Sequence, residues 1–417
     1  MSRNLKIFTF ATVIFAITGV MNDATVMFVL AGVGATVILV CYLLSALSLS
    51  RLDAELIAPP GNATAGSEQH PRLLIRSTGN ISLSSTGVEL GARNLTIDGI
   101  EIERRALLPN LPPGSSVDVD FELRPPARGR YRLGPPTIVD SDPIGMFEQR
   151  RECGEATELL VFPRTWDVPR VATWDPNIGR RVRRGLQGRQ DRGEFRGIRE
   201  HIAGDDLRHV HWKATAHIGE LSVKEYEPLR HDIISIHLDL AADNHYGRGL
   251  SSTLETAISA AASLARGGLA EQRSVSLMGA GLPPEVGRPG SGQAHLHRIM
   301  TALAEAQQTA ADFTHSLARQ LRSVPRGASL FVITTGIEQG LVQTLSMSAS
   351  TAASVMLLVV EGDVRGGNER FSPSSRQVAE AAHAADIHVG VLRSPADVGD
   401  ALTAAMSGTR RVNAEVI

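Results

Sequence analysis

The chain has 417 residues, enough for two or three domains, and 43% of them are hydrophobic, as in ordinary globular proteins. Its formal net charge of -2 argues against a generally basic nucleic-acid-binding protein. The two cysteines, Cys41 and Cys153, are too few for a disulfide framework.

Two apolar segments at the N-terminus predict a transmembrane hairpin within residues 1–51. The segments are 5–21 and 24–47, and each is about as long as the ~20 residues that a membrane-spanning helix needs. A signal peptide is disfavoured, because no small-x-small cleavage site follows the first segment and the second begins at once. Basic residues flank the hairpin (Arg3, Lys6 and Arg51), and the positive-inside rule then places both termini in the cytoplasm. We therefore expect a two-pass protein of the cell (inner or plasma) membrane, in contact with the lipid bilayer, with cytoplasmic soluble domains.

Residues 52–165 have the pattern of short β-strands. The segment 117–123 alternates apolar and acidic residues, which is typical of a half-buried strand. Further short apolar runs, punctuated by Gly and Pro, lie at 73–75, 95–97, 131–133, 137–139 and 159–162. No helical period interrupts them, so the region predicts a β-sandwich of the immunoglobulin-like kind.

Residues 231–408 alternate apolar strands with helical segments, and a tail follows at 409–417. The predicted strands are 233–240, 275–278, 330–334, 355–360 and 387–392, and the predicted helical segments include 251–267 and 295–322. Near-continuous apolar strands separated by helices predict a parallel, doubly wound α/β sheet. Ligands of such sheets bind beyond the carboxyl ends of the strands, which makes Asp239 a candidate residue.

A charged block at residues 193–216 is the most unusual part of the sequence. Its notable side chains are Arg196, Arg199, Asp205, Asp206, Arg208, Trp212 and Lys213. Such a set either pairs internally and braces the fold or binds an external partner. We expect a strand over 195–202 and a short helix over 207–214, capped by Asp205 or Asp206, with the Trp212 ring buried as an anchor.

The segment just before this block is strongly basic. Eight arginines lie between residues 180 and 199, against only Asp191 and Glu194. The candidates for binding an anion are Arg180, Arg181, Arg183 and Arg184. The segment is either a solvated loop or a surface for anionic lipid or an acidic protein. Nucleic acid is disfavoured, because no aromatic residue is interleaved before Phe195.

The block resembles the signature of the domain of unknown function 58 family. The matching run is Arg196-x-x-Arg199-Glu-His-Ile-Ala-Gly-Asp-Asp-Leu-Arg208-x-x-x-Trp212-Lys213-Ala-Thr-Ala, followed by Glu220-Leu-x-Val-Lys-Glu-Tyr-Glu227. Upstream, Arg128-Gly-Arg-Tyr-Arg-Leu-Gly134 and Asp142-Pro-Ile-Gly-Met-Phe147 are similar to the β-rich region of the same family. His211 stands where the family usually has Asp, and His217 where it usually has Arg, which lowers the capacity of the signature for salt bridges.

The resemblance implies two membrane helices, a β-sandwich, the signature within residues 166–230 and a von Willebrand factor A-like α/β end. In von Willebrand factor A domains, Asp-x-Ser-x-Ser after the first strand binds magnesium, whereas Ala241 and Asp243 stand at the two hydroxyl positions here. The metal site is therefore degraded, and we assign no metal ligand; Asp239 and Asp243 are weak candidates for Mg²⁺.

No catalytic constellation stands out in the sequence. There is no Gly-x-Ser-x-Gly, no Walker A loop and no Cys/His pairing, and the histidines between 201 and 237 lack zinc-site spacing. We therefore expect a non-enzymatic, membrane-anchored interaction or scaffold protein. The family resemblance implies that its partner is a MoxR-type AAA+ ATPase acting in complex assembly or activation. The alternatives are a metal-dependent ligand-binding module and a hydrolase using Asp205, Asp206 and the histidines.

Overall fold

The structure, a computed structural model, describes most of the chain. The described residues are 3–48, 52–59, 61–78, 86–109, 111–141, 144–168, 194–200, 210–227, 233–247, 249–335, 339–349, 351–361, 387–394 and 397–401. The chain divides into two compact units, residues 1–163 and 164–417. The finer division into a hairpin, a sandwich, a signature segment and an α/β domain stays a prediction.

The first unit begins with two long apolar helices. They are α1 (Arg3–Asn22) and α2 (Thr25–Ser48), and both are long and apolar enough to cross a membrane. The turn between them places Asp23 at a φ of 43°. The helices pack closely, because a Cβ atom at Gly34 would lie 2.5 Å from the Thr12 Oγ1 atom. The hairpin predicted from the sequence is therefore present, with its ends within a few residues of those expected.

Ten strands follow among the described residues of the first unit. They are β1 (Leu52–Ile57), β2 (Ala63–Thr64), β3 (Arg72–Ser77), β4 (Thr86–Asn94), β5 (Glu101–Leu107), β6 (Ser116–Asp120), β7 (Gly129–Leu133), β8 (Thr137–Ser141), β9 (Glu148–Glu152) and β10 (Thr157–Phe162). One sheet has the order β1-β3-β6, and the other has the order β2-β10-β7-β4-β8-β9 with β5 paired to β4. All pairings except the parallel β2–β10 pair are antiparallel.

The core of the first unit lies between these two sheets. Leu73 and Ile75 alternate along β3, and both belong to one buried cluster with Val88 and Leu90 of β4. Their alternation puts one face of each strand into the core, which is why the period-two pattern in the sequence identified the strands. The β-rich architecture expected for this region is confirmed.

One predicted strand is wrong. The run 95–97 is not a strand, because the Asn94 side-chain carbonyl oxygen accepts hydrogen bonds from the amides of Thr96 (2.8 Å) and Ile97 (3.0 Å). This turn, typical of Asn, bends the chain where β4 ends. Leu95 is left half exposed on the surface.

The loop between β8 and β9 contacts the apolar hairpin. The Asn4 Nδ2 atom donates a 2.9 Å hydrogen bond to the carbonyl oxygen of Ile144. The rings of Tyr42 and Phe147 meet edge to face, with centroids 5.6 Å apart. This loop carries part of the segment 142–147 on which the family resemblance rests.

The second unit has seven strands and five helices among its described residues. They are β11 (Glu194–Glu200), α3 (Trp212–Ile218), β12 (Ser222–Glu227), β13 (Ile233–Leu238), α4 (Thr253–Ala270), β14 (Ser274–Met278), α5 (Gln293–Glu305), α6 (Phe313–Leu321), β15 (Ser329–Thr334), α7 (Gln339–Ala349), β16 (Ser354–Val360) and β17 (His388–Leu392).

Five of these strands form a parallel sheet in the order β14-β13-β15-β16-β17. On one face, Leu330 and Val332 of β15 share a buried cluster with Phe313 and Leu317 of α6 and with residues of α7. Helix α4 packs against β13, β14 and β15. A parallel α/β sheet is therefore confirmed, and β13 lies between the second and third strands in chain order. The strand order reverses between β13 and β15, which is where such sheets bind ligands.

The predicted helical region 295–322 is two helices, not one. Residues 306–312 leave the helix because Thr309 bonds to the end of β13, with its amide 2.7 Å from the Leu240 carbonyl oxygen. Asp312 then caps α6, since its carboxylate accepts a 2.6 Å hydrogen bond from the His315 amide.

Candidate functional site

The first candidate site is the β-hairpin formed by β11 and β12 from the family signature. The strands are antiparallel, with Arg199 opposite Val223. The register shifts between Phe195 and Gly197, so Arg196 is the extra residue of a β-bulge. The side chains of Arg196 and Arg199 lie outside the described part, so their predicted role in binding stays a prediction.

Two hydrogen bonds hold helix α3 against strand β12. The amide of His211 donates to the Ser222 carbonyl oxygen (2.8 Å), and the amide of Ser222 donates to the Thr215 hydroxyl oxygen (3.1 Å). Gly219 ends the helix at a φ of 85°, in the left-handed region that favours glycine. The helix is short, so these bonds, and not intrinsic helix propensity, hold it in place.

The predicted N-cap of this helix is wrong. The helix begins at Trp212, and the Nδ1 atom of His211 accepts a 3.0 Å hydrogen bond from the Ala214 amide. A capping role for Asp205 or Asp206 would require the helix to begin several residues earlier. Instead Val210 forms an isolated antiparallel bridge with Val223, and neither Val210 nor His211 is helical.

Trp212 is exposed, which corrects the expectation of a buried anchor. Its side chain is 68% exposed, and Lys213 beside it is also exposed. Trp212 is the first residue of the helix, and the hydrogen bonds to β12 are made by His211 and Thr215 instead. Exposed tryptophan is unusual in a monomer surface and is enriched at the centres of protein interfaces.

The rest of the predicted charged site lies outside the described residues. This holds for Asp205, Asp206, Arg208, Arg180, Arg181, Arg183 and Arg184. The hydrolase alternative depends on Asp205 and Asp206 and falls in the same segment. Of the clustered histidines, His211 is the helix cap, His217 is exposed and His237 is buried.

The second candidate site lies at the carboxyl end of β13, where the strand order reverses. Asp239 is fully buried, and its carboxylate accepts three hydrogen bonds. The donors are the Ala241 amide (2.9 Å), the Asn244 Nδ2 atom (2.8 Å) and the Thr334 hydroxyl (2.6 Å). Donors from the chain itself therefore occupy the oxygen atoms of the Asp239 carboxylate. A cation at this position would need those oxygen atoms free as ligands.

Asp243 does not join Asp239 in this arrangement. It is exposed on a short 3-10 turn (Ala242–Asn244), while the next residue, Asn244, turns its amide onto the Asp239 carboxylate. Within the described ranges, no group of three or more His, Cys, Asp or Glu residues is arranged to hold a metal ion. The sequence did not identify Asn244 and Thr334 as hydrogen-bond donors to Asp239. A buried Asp after a strand indicates that its carboxylate has donors, but it does not indicate which residues supply them.

Two buried histidines flank this carboxyl edge. The Nε2 atom of His245 lies 2.9 Å from the Asp239 backbone oxygen and donates to it, and burial lowers the pKa of His245. The Nδ1 atom of His237 donates to the Gln320 Oε1 atom (3.0 Å), and burial lowers the pKa of His237 to about 4. Both rings are therefore neutral at pH 7 and serve as hydrogen-bonded core residues.

Comparisons with solved structures return likenesses to parts of the chain. The CARDB domain of a Pyrococcus furiosus protein is 16% identical, and the match covers 26% of this chain and 91% of that domain, with a TM-score of 0.20. The C-terminal domain of wzt is 14% identical, with 27% and 72% covered and a TM-score of 0.22. A superoxide reductase (neelaredoxin) from Ignicoccus hospitalis is 16% identical, with 28% and 86% covered and a TM-score of 0.19. At these TM-scores the likenesses carry no argument about function.

No curated protein matches the chain. The model of the family described as "Protein of unknown function DUF58" matches residues 197–363, which include most of the β11–β12 hairpin, helix α3 and the parallel sheet as far as β16. The matched region contains both candidate sites, and it confirms the resemblance carried by the signature. Residues 197–363 of the chain thus carry the region that this family of unknown function shares.

Proposed function

We propose that the chain is a membrane-anchored, non-enzymatic interaction protein that docks a protein partner through the Trp212 surface. This surface is defined as Trp212 and Lys213 on helix α3. The observation that carries the proposal is the exposed Trp212 ring on a helix that hydrogen bonds hold against β12. A fixed, exposed aromatic side chain loses little conformational entropy when a partner covers it.

The partner is an acidic face of a MoxR-type AAA+ ATPase, which the family resemblance implies. Its charge follows from the sequence around the Trp212 surface. Lys213 lies beside the ring, and eight arginines against two acidic residues precede it between residues 180 and 199. Cations beside an aromatic anchor speed the encounter with an acidic partner and orient it.

The fold is proposed in finer detail as well. The two packed sheets of the first unit support an immunoglobulin-like sandwich, and the parallel sheet with Asp239 after its first strand supports a von Willebrand factor A-like domain. The apolar hairpin supports a two-pass protein of the cell membrane, and its flanking basic residues support cytoplasmic soluble domains.

Direct binding of the full-length protein in detergent to a purified MoxR-type ATPase from the same organism tests the docking proposal. Replacing Trp212 by Ala is expected to cost about 2 kcal/mol, which is roughly a 30-fold weaker Kd. Tyr246→Ala is the matched control, because Tyr246 is also an exposed aromatic residue but lies on the loop after β13. Equal affinities of the wild-type and Trp212→Ala proteins would overturn the assigned surface.

The charge component is tested separately. The double substitution Arg196→Ala with Arg199→Ala is expected to slow association and to reduce its dependence on salt, since both arginines belong to the strand that pairs with β12 and the substitutions remove two positive charges. An unchanged association rate at low salt would show that these arginines are not part of the interface. The Trp212 surface is tested independently by the Trp212→Ala variant.

A further inference from the structure

A groove runs along the two apolar helices of the first unit. Its walls are side chains of α1 within residues 9–13 and of α2 within residues 35–42, and Phe147 of the β8–β9 loop also lines it. We call it the hairpin groove. Its volume is about 330 Å³. From Ala35 to Tyr42 the helix rises about 10 Å, so the groove is elongated along the helices.

The walls of the hairpin groove are almost wholly apolar. The Thr12 hydroxyl donates a 2.7 Å hydrogen bond to the Phe8 carbonyl oxygen within α1, so this wall residue needs no polar partner in the groove. The ring of Phe147 packs edge to face on that of Tyr42, with centroids 5.6 Å apart. A ligand of this groove must therefore be apolar along its length.

The hairpin groove is open along its side. Val13 of one wall is 48% exposed and Leu39 of the other is 57% exposed. Both helices are long and apolar enough to cross a membrane, and in a bilayer such exposed side chains face the acyl chains of lipids. With the membrane anchoring proposed above, the groove therefore opens directly into a supply of acyl chains.

Positive charge lies at one end of the hairpin groove. Lys6 precedes Thr9 by three residues and Val13 by seven, a spacing that places all three on one face of α1. Side chains of a helix lean toward its N-terminus, so the Lys6 stem extends away from the groove toward the membrane surface, where headgroups lie. The only acidic residue of the described hairpin, 3–48, is Asp23 at its opposite end.

The charge of Lys6 is available to a ligand. Lys6 is exposed and forms no ion pair with the described residues. Glu148, which follows Phe147 at the groove, already accepts a 2.9 Å hydrogen bond from the Arg150 Nε atom. An anionic headgroup would give Lys6 the partner that this part of the chain does not supply.

Shape favours an acyl chain over a helix of a second copy. A helix with its side chains is at least about 10 Å wide, which is too wide to enter a groove of about 330 Å³ that is itself about 10 Å long. Lipid tails are as apolar as the groove walls, so binding depends on packing against both helices and on the headgroup charge.

We propose that the hairpin groove binds one phospholipid with an anionic headgroup. Its acyl chain lies between α1 and α2 beside Phe147, and its headgroup meets Lys6. The site rests on the proposed membrane anchoring, and it is independent of the Trp212 surface.

Lipid retention by the full-length protein tests the site. The protein is reconstituted into vesicles of phosphatidylglycerol and phosphatidylcholine in equal amounts and extracted with a mild detergent, and native mass spectrometry counts the retained lipid. We expect one phosphatidylglycerol per chain. Val13→Trp fills the groove from α1 and should lower retention roughly tenfold, and Ala35→Phe fills it from α2 with the same result.

Val33→Trp is the matched control for Val13→Trp. Val33 is 55% exposed on α2 and does not line the groove. Val13 precedes Asp23 by ten residues and Val33 follows it by ten, so both substitutions place the same side chain at a similar depth of the hairpin. Retention in Val33→Trp should equal that of the wild type.

The headgroup assignment has its own variant. Lys6→Gln should lose the preference for phosphatidylglycerol over phosphatidylcholine, whereas Lys213→Gln, which makes the same charge change in the second unit, should keep it. An unchanged preference in Lys6→Gln would overturn the anionic headgroup.

Alkaline extraction of the membranes separates a failure of the site from a failure of the anchoring. If the wild type stays in the membrane but retains no phosphatidylglycerol, or if the groove-filling variants retain as much as Val33→Trp, the lipid site is wrong and the anchoring stands. Release of the wild type into the soluble fraction would overturn both.

Discussion

The Thr334 hydroxyl donates a 2.6 Å hydrogen bond to the buried Asp239 carboxylate, and the bond joins the ends of two neighbouring parallel strands. Since Asp239 is fully buried, each donor to its carboxylate offsets part of the cost of removing that charge from water. The bond therefore helps to stabilise the parallel sheet.

Replacing Thr334 by Val is expected to destabilise the second unit. The side chain keeps its shape, but the carboxylate loses one of three donors, which costs about 1–3 kcal/mol. Chemical denaturation measures the change in the free energy of unfolding. Thr344→Val is the control, because that hydroxyl is exposed and bonds only its own helix (2.8 Å), and its effect should stay within about 0.5 kcal/mol.

Magnesium is expected not to stabilise the protein through Asp239. The Ala241 amide, the Asn244 amide and the Thr334 hydroxyl already bond the carboxylate, and Mg²⁺ needs several oxygen ligands in near-octahedral geometry. Calorimetric titration and melting curves with and without Mg²⁺ measure this. A saturable heat that disappears in Asp239→Asn would revive the metal-dependent alternative.

The second unit should lose stability as the pH falls from about 6.5 to 4. His237 is neutral in the folded state, with a pKa of about 4, while its unfolded pKa is near 6.5. The unfolded chain binds the extra proton in this window, so acid favours unfolding, by about 3 kcal/mol at pH 4. Burial also lowers the pKa of His245, which adds in the same direction.

His237→Asn separates this contribution from those of other groups. The variant is less stable at pH 7, because the ring's bonds to Gln320 and Ser235 are lost. Its stability should then fall less steeply with acid, so the wild-type and variant curves converge toward pH 4. Parallel curves between pH 7 and pH 4 would show that His237 is not the titrating group.

Two glycines of the first unit should respond differently to Ala. Gly61 and Gly154 both have positive φ values, 89° and 78°. A Cβ at Gly61 would meet nothing within 4 Å, so only the cost of the left-handed backbone applies, about 1–2 kcal/mol. A Cβ at Gly154 would lie 2.3 Å from the Ala54 carbonyl oxygen. Thermal unfolding should show Gly154→Ala as less stable than Gly61→Ala by about 1 kcal/mol or more.

The membrane orientation predicts the behaviour of reporter fusions. A fluorescent protein at the C-terminus should fluoresce, and alkaline phosphatase at the same place should be inactive, because both termini are expected in the cytoplasm. Phosphatase inserted between Asn22 and Asp23 should be active, since this turn joins the two apolar helices. The opposite pattern would invert the proposed topology.

The sequence predicted most of the fold because its patterns are set by burial. The alternation at 117–123 and the apolar runs of the parallel strands identify faces that enter a core, and those strands are present. The pattern fails where a side chain overrides it. Asn94 turns the chain at 95–97, and the Thr309 backbone bonds interrupt the predicted long helix.

The candidate sites were harder to predict than the fold. Asp239 was identified by its place after a strand, but its donors Asn244 and Thr334 come together only through the sheet. Trp212 was expected to be buried as an anchor, whereas it is exposed at the start of a helix that His211 caps. Whether Trp212 is exposed depends on which face of the short helix packs against the strands, and amino-acid composition does not predict this.

The side-chain amide of Asn244 occupies the Asp239 carboxylate as an internal ligand, because it is covalently tethered to the same chain. Asn244 lies only five positions after Asp239 in the chain, so the effective concentration of this amide at the carboxylate far exceeds that of any solute. A soluble cation or amide must displace a tethered competitor and expose a buried charge before it can bind. The point where the strand order reverses is therefore filled by the chain itself, and the partner proposed above would have to bind elsewhere.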